Sequence, residues 1–510
     1  MGAPSLRDRT SGVLMHLTSL PGPFGSGDLG AEAYRFAEFL HAAGQRYWQI
    51  LPVNPPAGGE SPYQTVSSFA GHPNLVALDT LIEEGLLSRT EVMREAPDAD
   101  TSRIDFPVVG RFRETMLRRA FASFRHRHGK ERSHEFDAFV RDEARWLEDY
   151  ALFVALKQRF SDRPWTQWDE PFRRREPAAL KQAASELSDE MEYLRFVQFQ
   201  FALHFRRLRD ACTEKGIGLI GDVPIFVAHD SADVWANPEI FYLREDGSPA
   251  AVAGVPPDAF SDTGQRWGNA LYRWEVLREH GYSWWIDRMR VSVARFDAVR
   301  LDHFIGFVRY WEIPTESHDA RNGVFRPGPG RHFFDALRAA LGDVQLIAED
   351  LGILTDDVHA LRDGLALPGM RVLQFVFGPD AGSRAFQPHA FPQRCVVYTG
   401  THDNDTTLGW FQDPRAEHDH YLRQSQEFAK RYTRSDGLTP HWDMIHCAMA
   451  SVANTAIVPM QDVLGLGHAA RMNTPGTVDG NWSWRMRWEE IADDTASRLH
   501  GLSETYARIP

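Results

Sequence analysis

Eight short apolar runs recur along this 510-residue chain, and several of the intervals between them carry helical patterns. The runs are GVLMHLTSL (12–20), YWQILPV (47–53), IGLIGDVPIFV (217–227), FDAVRLD (296–302), VQLIAED (344–350), MRVLQFVF (370–377), CVVYTGT (395–401) and TAIVPMQ (455–461). In the interval FFDALRAAL (333–341), Phe334, Leu337 and Leu341 share one helical face. Apolar strands separated by helices pair in parallel, and eight of them predict an α/β chain closed into a (β/α)8 TIM barrel. An open doubly wound sheet is the alternative; no GxGxxG follows the first strand, which weighs against it.

The interval between the second and third runs is far too long for a simple crossover. Residues 85–215 read as a mostly helical insertion, packed on the barrel because Phe196, Phe199, Phe201 and Phe205 need cover. The chain then divides into 1–84 with the first two strands, the insertion, and 216–510 with the remaining six. A second irregular stretch, 237–269, is loaded with Gly, Pro and Asp. Long loops in compact proteins are usually lids or binding loops, and the aromatics here argue against disorder.

Composition narrows the partners. A net charge of −14 disfavours a nucleic-acid backbone and says nothing against a neutral ligand. The beginning, MGAPSLRDRTSG, lacks the apolar core of a signal peptide, and no apolar stretch is long enough to span a membrane. Cys212, Cys395 and Cys447 form no CxxC, so neither zinc nor a disulfide framework is suggested, and a reducing cytoplasm is the simplest compartment. Fifteen Trp and 32 Phe suit stacking on sugar faces, although core packing is the commoner role for any one ring.

In a barrel of this type, polar groups at the C-terminal ends of strands face the active site. Those ends carry Asp222, then Arg300 and Asp302, then Glu349 and Asp350, then His402 and Asp403. Arg300 and Asp302 are two apart and share one face of their strand. Glycosidic bond cleavage requires such a set: one ionised carboxylate to attack the anomeric carbon, one protonated carboxyl for the leaving oxygen, and groups that grip the ring. Each residue also has an ordinary reading. A strand-end Asp can cap the next helix, Arg300 and Asp302 can be a structural ion pair, and the HDND run of VVYTGTHDNDTT (396–407) can hold a hard cation. Acids drawn from separate strands beside a cationic Arg300 fit carbohydrate chemistry better than a calcium loop.

AVRLDHFIGF (298–307), LIAEDLG (346–352) and YTGTHDND (398–405) resemble the nucleophile, acid/base and third-carboxylate motifs of the amylomaltases, the 4-α-glucanotransferases of glycoside hydrolase family 77. The likeness extends through SGVLMHLTSLPGPFG, SPYQTVSSFAGHPNL, GVPPDAFSDTGQRWGNALYRW and ARMNTPGTVDGNWSWR, in family order. It implies a barrel with a helical insertion and no C-terminal β-domain. It implies Asp302 as nucleophile, Glu349 as general acid and base, and Asp403 with His402 as a grip on the ring hydroxyls. Arg300 would keep Asp302 ionised, and Asp222 and His303 would line the pocket. Tyr63, Asp258, Gln265, Trp267 and Asn473 would contact the glucan. Donors and acceptors would be α-1,4-glucans, handled by a monomer or weak homo-oligomer without metal or cofactor. A hydrolase with the same residues and a non-catalytic glucan-binding protein are the alternatives. Three positions depart from the family pattern: Ala259 where the lid often carries Tyr, Ala270 for Pro, and Ala390 for Asn. The first implies a looser lid and more hydrolysis, which Ala259→Tyr would reduce.

Overall fold

Each of the eight apolar runs contains a buried strand. A computed structural model describes residues 4–98, 102–127, 130–257, 261–352, 354–380, 383 and 386–509. Twelve strands lie among them: β1 (Thr10–Leu14), β2 (Tyr47–Gln49), β3 (Gly218–Pro224), β4 (Ala251–Val255), β5 (Gln265–Ala270), β6 (Ala298–Asp302), β7 (Arg309–Pro314), β8 (Val324–Pro327), β9 (Leu346–Ala348), β10 (Gly369–Val372), β11 (Cys395–Tyr398) and β12 (Thr455–Pro459). The eight expected strands close a parallel barrel in the order β1, β2, β3, β6, β9, β10, β11, β12, with β12 pairing back onto β1. Their near-continuous apolar composition follows from burial on both faces, by the barrel interior and by the surrounding helices. β12, for instance, is buried at every position. Gly221 on β3 leaves room for the Phe296 ring, which a Cβ there would meet at 2.2 Å.

Some runs are shorter strands than the sequence suggests. MRVLQFVF is strand only to Val372 and then turns into a short helix, Leu373–Val376. The 333–341 helix is found at Arg331–Leu341; Phe334 and Leu337 are buried on its inner face, joined by Phe333.

Between β2 and β3 the chain is helical. The long helix Ser188–Glu214 serves two packing partners. Phe196 meets Phe121 and Phe124, Phe199 meets Phe136 and Phe139, and Phe205 stands edge-on to Phe296 beside the barrel wall. All four phenylalanines of this helix named above are buried.

The stretch 237–269 is not an irregular loop. It contains β4 and β5, which join β7 and β8 in an antiparallel sheet of order β5, β4, β7, β8. Each strand is short and borders Gly or Pro, so pairing decides its conformation: β5 lies against β4, and β4 also against β7. Ala270 closes β5 fully buried, bridged to Val227.

After β12 come the short helix Met460–Val463, two single-turn 3-10 segments and the helix Thr495–Thr505, and no described strand follows. The barrel floor is tied off by two arginines. Arg508, fully buried, donates to the carbonyls of Met449, Thr10, Asn454 and Ala453 at 2.7–3.1 Å, and Arg9 to those of Met449, Ser451 and Tyr506. Both thereby satisfy the free carbonyls ending the helix Pro440–Ala450. No described helix is long and apolar enough to cross a membrane.

Candidate active site

Parallel register sets Asp222 on β3 directly opposite Arg300 on β6, and Pro224 opposite Asp302. Side chains two apart along β6 point to the same side, so Arg300 meets both carboxylates. Its Nη1 donates to both oxygens of Asp222 at 2.8 and 2.7 Å, and its Nη2 reaches Asp302 Oδ1 at 2.9 Å. Tyr63, from the loop after β2, donates its hydroxyl to Asp222 Oδ2 at 2.7 Å. Asp222 is therefore consumed by Arg300 and Tyr63, while Asp302 keeps 27% of its side chain open to the cleft. Asp302 is the cleft-facing carboxylate of the two, held by Arg300 through one oxygen.

Glu349 follows β9. Its Oε2 accepts from the backbone N–H of His303 at 2.8 Å and its Oε1 from that of Leu351 at 3.0 Å. His303 has a left-handed backbone (φ 51°), unusual for a residue other than glycine, and this turn at the end of β6 aims its N–H at Glu349. The next residue along LIAED behaves differently. Asp350 accepts from Met370 N at 2.6 Å and from Arg362 at 2.5 Å, a buried structural knot outside the cleft.

The third acidic group comes from the loop after β11. Asp403 accepts from Asn473 Nδ2 at 2.6 Å, and its other oxygen lies 3.3 Å from His402 Nε2. The Tyr63 ring stacks on the His402 imidazole with centroids 5.1 Å apart, and Trp482 closes on both at 5.7 Å. Asn404 folds inward to accept from Thr401, and Asp405 binds His468 at 2.6 Å; neither joins the acidic cluster. The cap of the following helix is Thr406, whose hydroxyl accepts from Gly409 N.

Environment separates the acids. Burial raises Glu349 to about 8, with the Asp302 charge adding to the rise and Arg300 opposing it. Burial also raises Asp302, held to about 6 by Arg300. Arg300 alone thus does not give Asp302 an ordinary carboxylate acidity, because the cleft is too dry. Burial works against ionisation of Asp403 too, but His402, Asn473 and Arg300 together bring it well below the usual range. Burial lowers His303 to about 4, leaving it neutral at ordinary pH.

One wall of the cleft is the small sheet. Trp267 on β5 stands edge-on to His303 with centroids 5.0 Å apart, and its indole N–H donates to Gln265 Oε1 at 3.1 Å. Gln64, beside Tyr63, donates to Asn269 Oδ1 and to the Trp267 carbonyl, lacing this wall to the loop after β2. Asp258 and Ala259 lie outside the described residues. Ala390 sits in the short turn Pro388–Ala390. The structure therefore brings together Asp302, Glu349, Asp403, Arg300, Asp222, His303, His402, Tyr63, Trp267, Gln265 and Asn473. Sequence reasoning passed over Gln64, Arg471 and Trp482, although all three stand inside segments it quoted. Arg471 Nη2 donates to the Asp403 carbonyl at 2.6 Å. No group of three or more His, Cys, Asp or Glu suited to a metal occurs among the described residues.

A family model described as 4-alpha-glucanotransferase matches residues 15–491. The 4-alpha-glucanotransferase of Thermus thermophilus is 46% identical over 98% of this chain and 99% of its own, and that of Solanum tuberosum 41% identical over 98% and 87%. The solved amylomaltase of Streptococcus agalactiae, in complex with acarbose, superposes with a TM-score of 0.94 at 36% identity, covering 98% of this chain and all of that one. With this cleft at the C-terminal mouth of the barrel and these relatives along its whole length, the chain belongs to the 4-alpha-glucanotransferase family.

Proposed function

We propose that the chain transfers α-1,4-glucan segments by double displacement, with Asp302 as nucleophile and Glu349 as acid, then base. The ionised Asp302 attacks the anomeric carbon as the bond from that carbon to the glycosidic oxygen breaks. The proton on Glu349 passes to the departing oxygen, and the shortened chain leaves with a free 4-hydroxyl. In the second half, Glu349, now a carboxylate, takes the proton from the 4-hydroxyl of an acceptor. That oxygen bonds to the anomeric carbon, Asp302 departs, and the α-configuration is retained. Asp403, His402 and Asn473 hold ring hydroxyls whose hydrogen bonds tighten as the ring flattens. Trp267 and Gln265 contact the glucan, the donors are α-1,4-glucans, and the acceptors are glucose or maltooligosaccharides.

The observation that carries the mechanism is the hydrogen bond from His303 N–H to Glu349. It fastens the acid beside the nucleophile, while their different exposures leave the acid protonated and the nucleophile ionised near neutrality. Buried free thiols at Cys212, Cys395 and Cys447 support a reducing, cytoplasmic setting. Incubation with maltotriose tests transfer against hydrolysis. Transfer yields glucose and longer maltodextrins at a constant number of reducing ends; a reducing-end count rising in step with substrate loss would mark a hydrolase.

A further inference from the structure

The loop that presents His402 and Asp403 runs from the end of β11 to the helix Thr407–Phe411, and both its ends converge on one buried side chain. Asp462 follows β12, in the first turn of the helix Met460–Val463, and is 1% exposed. Its Oδ2 accepts from the hydroxyl of Thr399 at 2.5 Å and from that of Thr407 at 2.7 Å. Its Oδ1 accepts from the backbone N–H of Thr407 at 2.6 Å. Thr399 is the first residue beyond β11, so a single carboxylate closes the loop at its base.

Beside the loop lies a cavity of about 20 Å³, lined by Thr401, His402 and Asn404 together with Met15, His16 and Asp462. A space of that size fits about one water. On that side the loop is not close-packed, and hydrogen bonds hold it there. Its outer side is held by Asn473 N–H to the His402 carbonyl at 3.0 Å and Arg471 to the Asp403 carbonyl at 2.6 Å. Three donors on one buried carboxylate are charge-assisted bonds, and they gather both ends of the loop on one side chain.

We propose that Asp462 is a positioning residue: by tying Thr399 to Thr407 it sets the reach of His402 and Asp403 toward the sugar ring. It touches no substrate, and its effect passes through Asp403. The inference rests on the reading of Asp403 as a transition-state contact. Misplacement by about 1 Å costs on the order of 100-fold in rate. Asp462→Ala should therefore lower kcat by about 100-fold with KM changed by less than about threefold, since the loss falls on the transition state. Asp462→Asn, which keeps an acceptor for Thr407 N–H, should recover most of it.

A residue that only stabilised the fold would also lower Tm, so the deciding measurement is a double-mutant cycle with Asp403→Asn. Residual turnover is followed with α-maltosyl fluoride, an activated donor. If Asp462 acts through Asp403, Asp462→Ala costs little on the Asp403→Asn background. Equal losses on both backgrounds would overturn the positioning role and leave the reading of Asp403 intact. Full activity of Asp403→Asn itself would instead overturn that reading. Should Asp462→Ala not fold, Thr399→Val removes one of the three donors, and the same cycle applies. A smaller kcat loss that vanishes beside Asp403→Asn is expected; an additive loss overturns the proposal.

Discussion

The backbone N–H of His303 donates to Glu349 Oε2 at 2.8 Å, so the residue following one carboxylate on β6 holds the other in place. Two acids kept this close titrate as a pair, and the first proton to leave comes from the better-solvated member.

A bell-shaped pH dependence follows. Activity needs Asp302 ionised and Glu349 protonated. kcat/KM should rise as pH climbs through about 6 and fall as it climbs through about 8. Measurements from pH 4 to 10 check this, and Glu349→Gln should lose the alkaline limb of whatever activity remains. An alkaline limb unchanged in that variant would assign it to another group.

Glu349→Gln should also separate chemistry from stability. The variant cannot protonate a leaving oxygen, so transfer from maltodextrins should fall by about 10²–10⁴-fold. Fluoride leaves without a proton, and glycosylation by maltosyl fluoride should be largely spared. Stability moves the other way. Glu349 binds its proton up to about pH 8 in the folded chain but only to 4.5 in the unfolded one. In that window the native state holds the extra proton, so stability falls as pH rises. Glutamine has no such loss. Tm of the variant should equal the wild type near pH 4 and exceed it at pH 8, as thermal scans at both values will show.

Tyr63→Phe removes one donor from Asp222 and keeps the ring on His402. A hydrogen bond to a charged group is worth about 1.5–3 kcal/mol, so kcat/KM should drop by about 10- to 100-fold. Tyr63→Ala should cost more, because the stacked face is lost as well. Equal losses in the two variants would mean that the ring contributes nothing.

Arg508→Ala strands several buried carbonyls at the barrel floor. A destabilisation of about 3 kcal/mol or more is expected, seen as a lower Tm with kcat at 25 °C unchanged. Arg508→Lys should not restore it, because an ammonium lacks the fork that reaches separated carbonyls.

Strand ends were readable because the barrel imposes a rule: apolar run, then polar terminus. Asp302, Glu349 and Asp403 all obey it. The rule also selects Asp350, and nothing local in LIAED tells which of two adjacent acids turns outward to Arg362. The sheet of β4, β5, β7 and β8 was not readable, since QRWGNA is a strand only against AVAGV, and AVAGV in turn pairs with Arg309–Pro314 far along the chain. Asp462 has the same difficulty. In VPMQDVL it looks like an ordinary acid in the first turn of a helix, and its meaning lies in Thr399 and Thr407. Gln64 and Trp482 act through rings and carbonyls from other loops, which no spacing encodes.

The pairing of β12 with β1 has a consequence for how the chain comes to exist in a cell. Cleft residues run from Tyr63 to Asn473, but the ring of strands can close only when Thr455–Pro459 is available to meet Thr10–Leu14. While the ribosome is still at work, the first strand keeps a bare edge for most of synthesis, open to pairing with other chains. Closure of the barrel is thus a late event, and a chain stopped before Thr455 lacks the strand that covers the edge of β1.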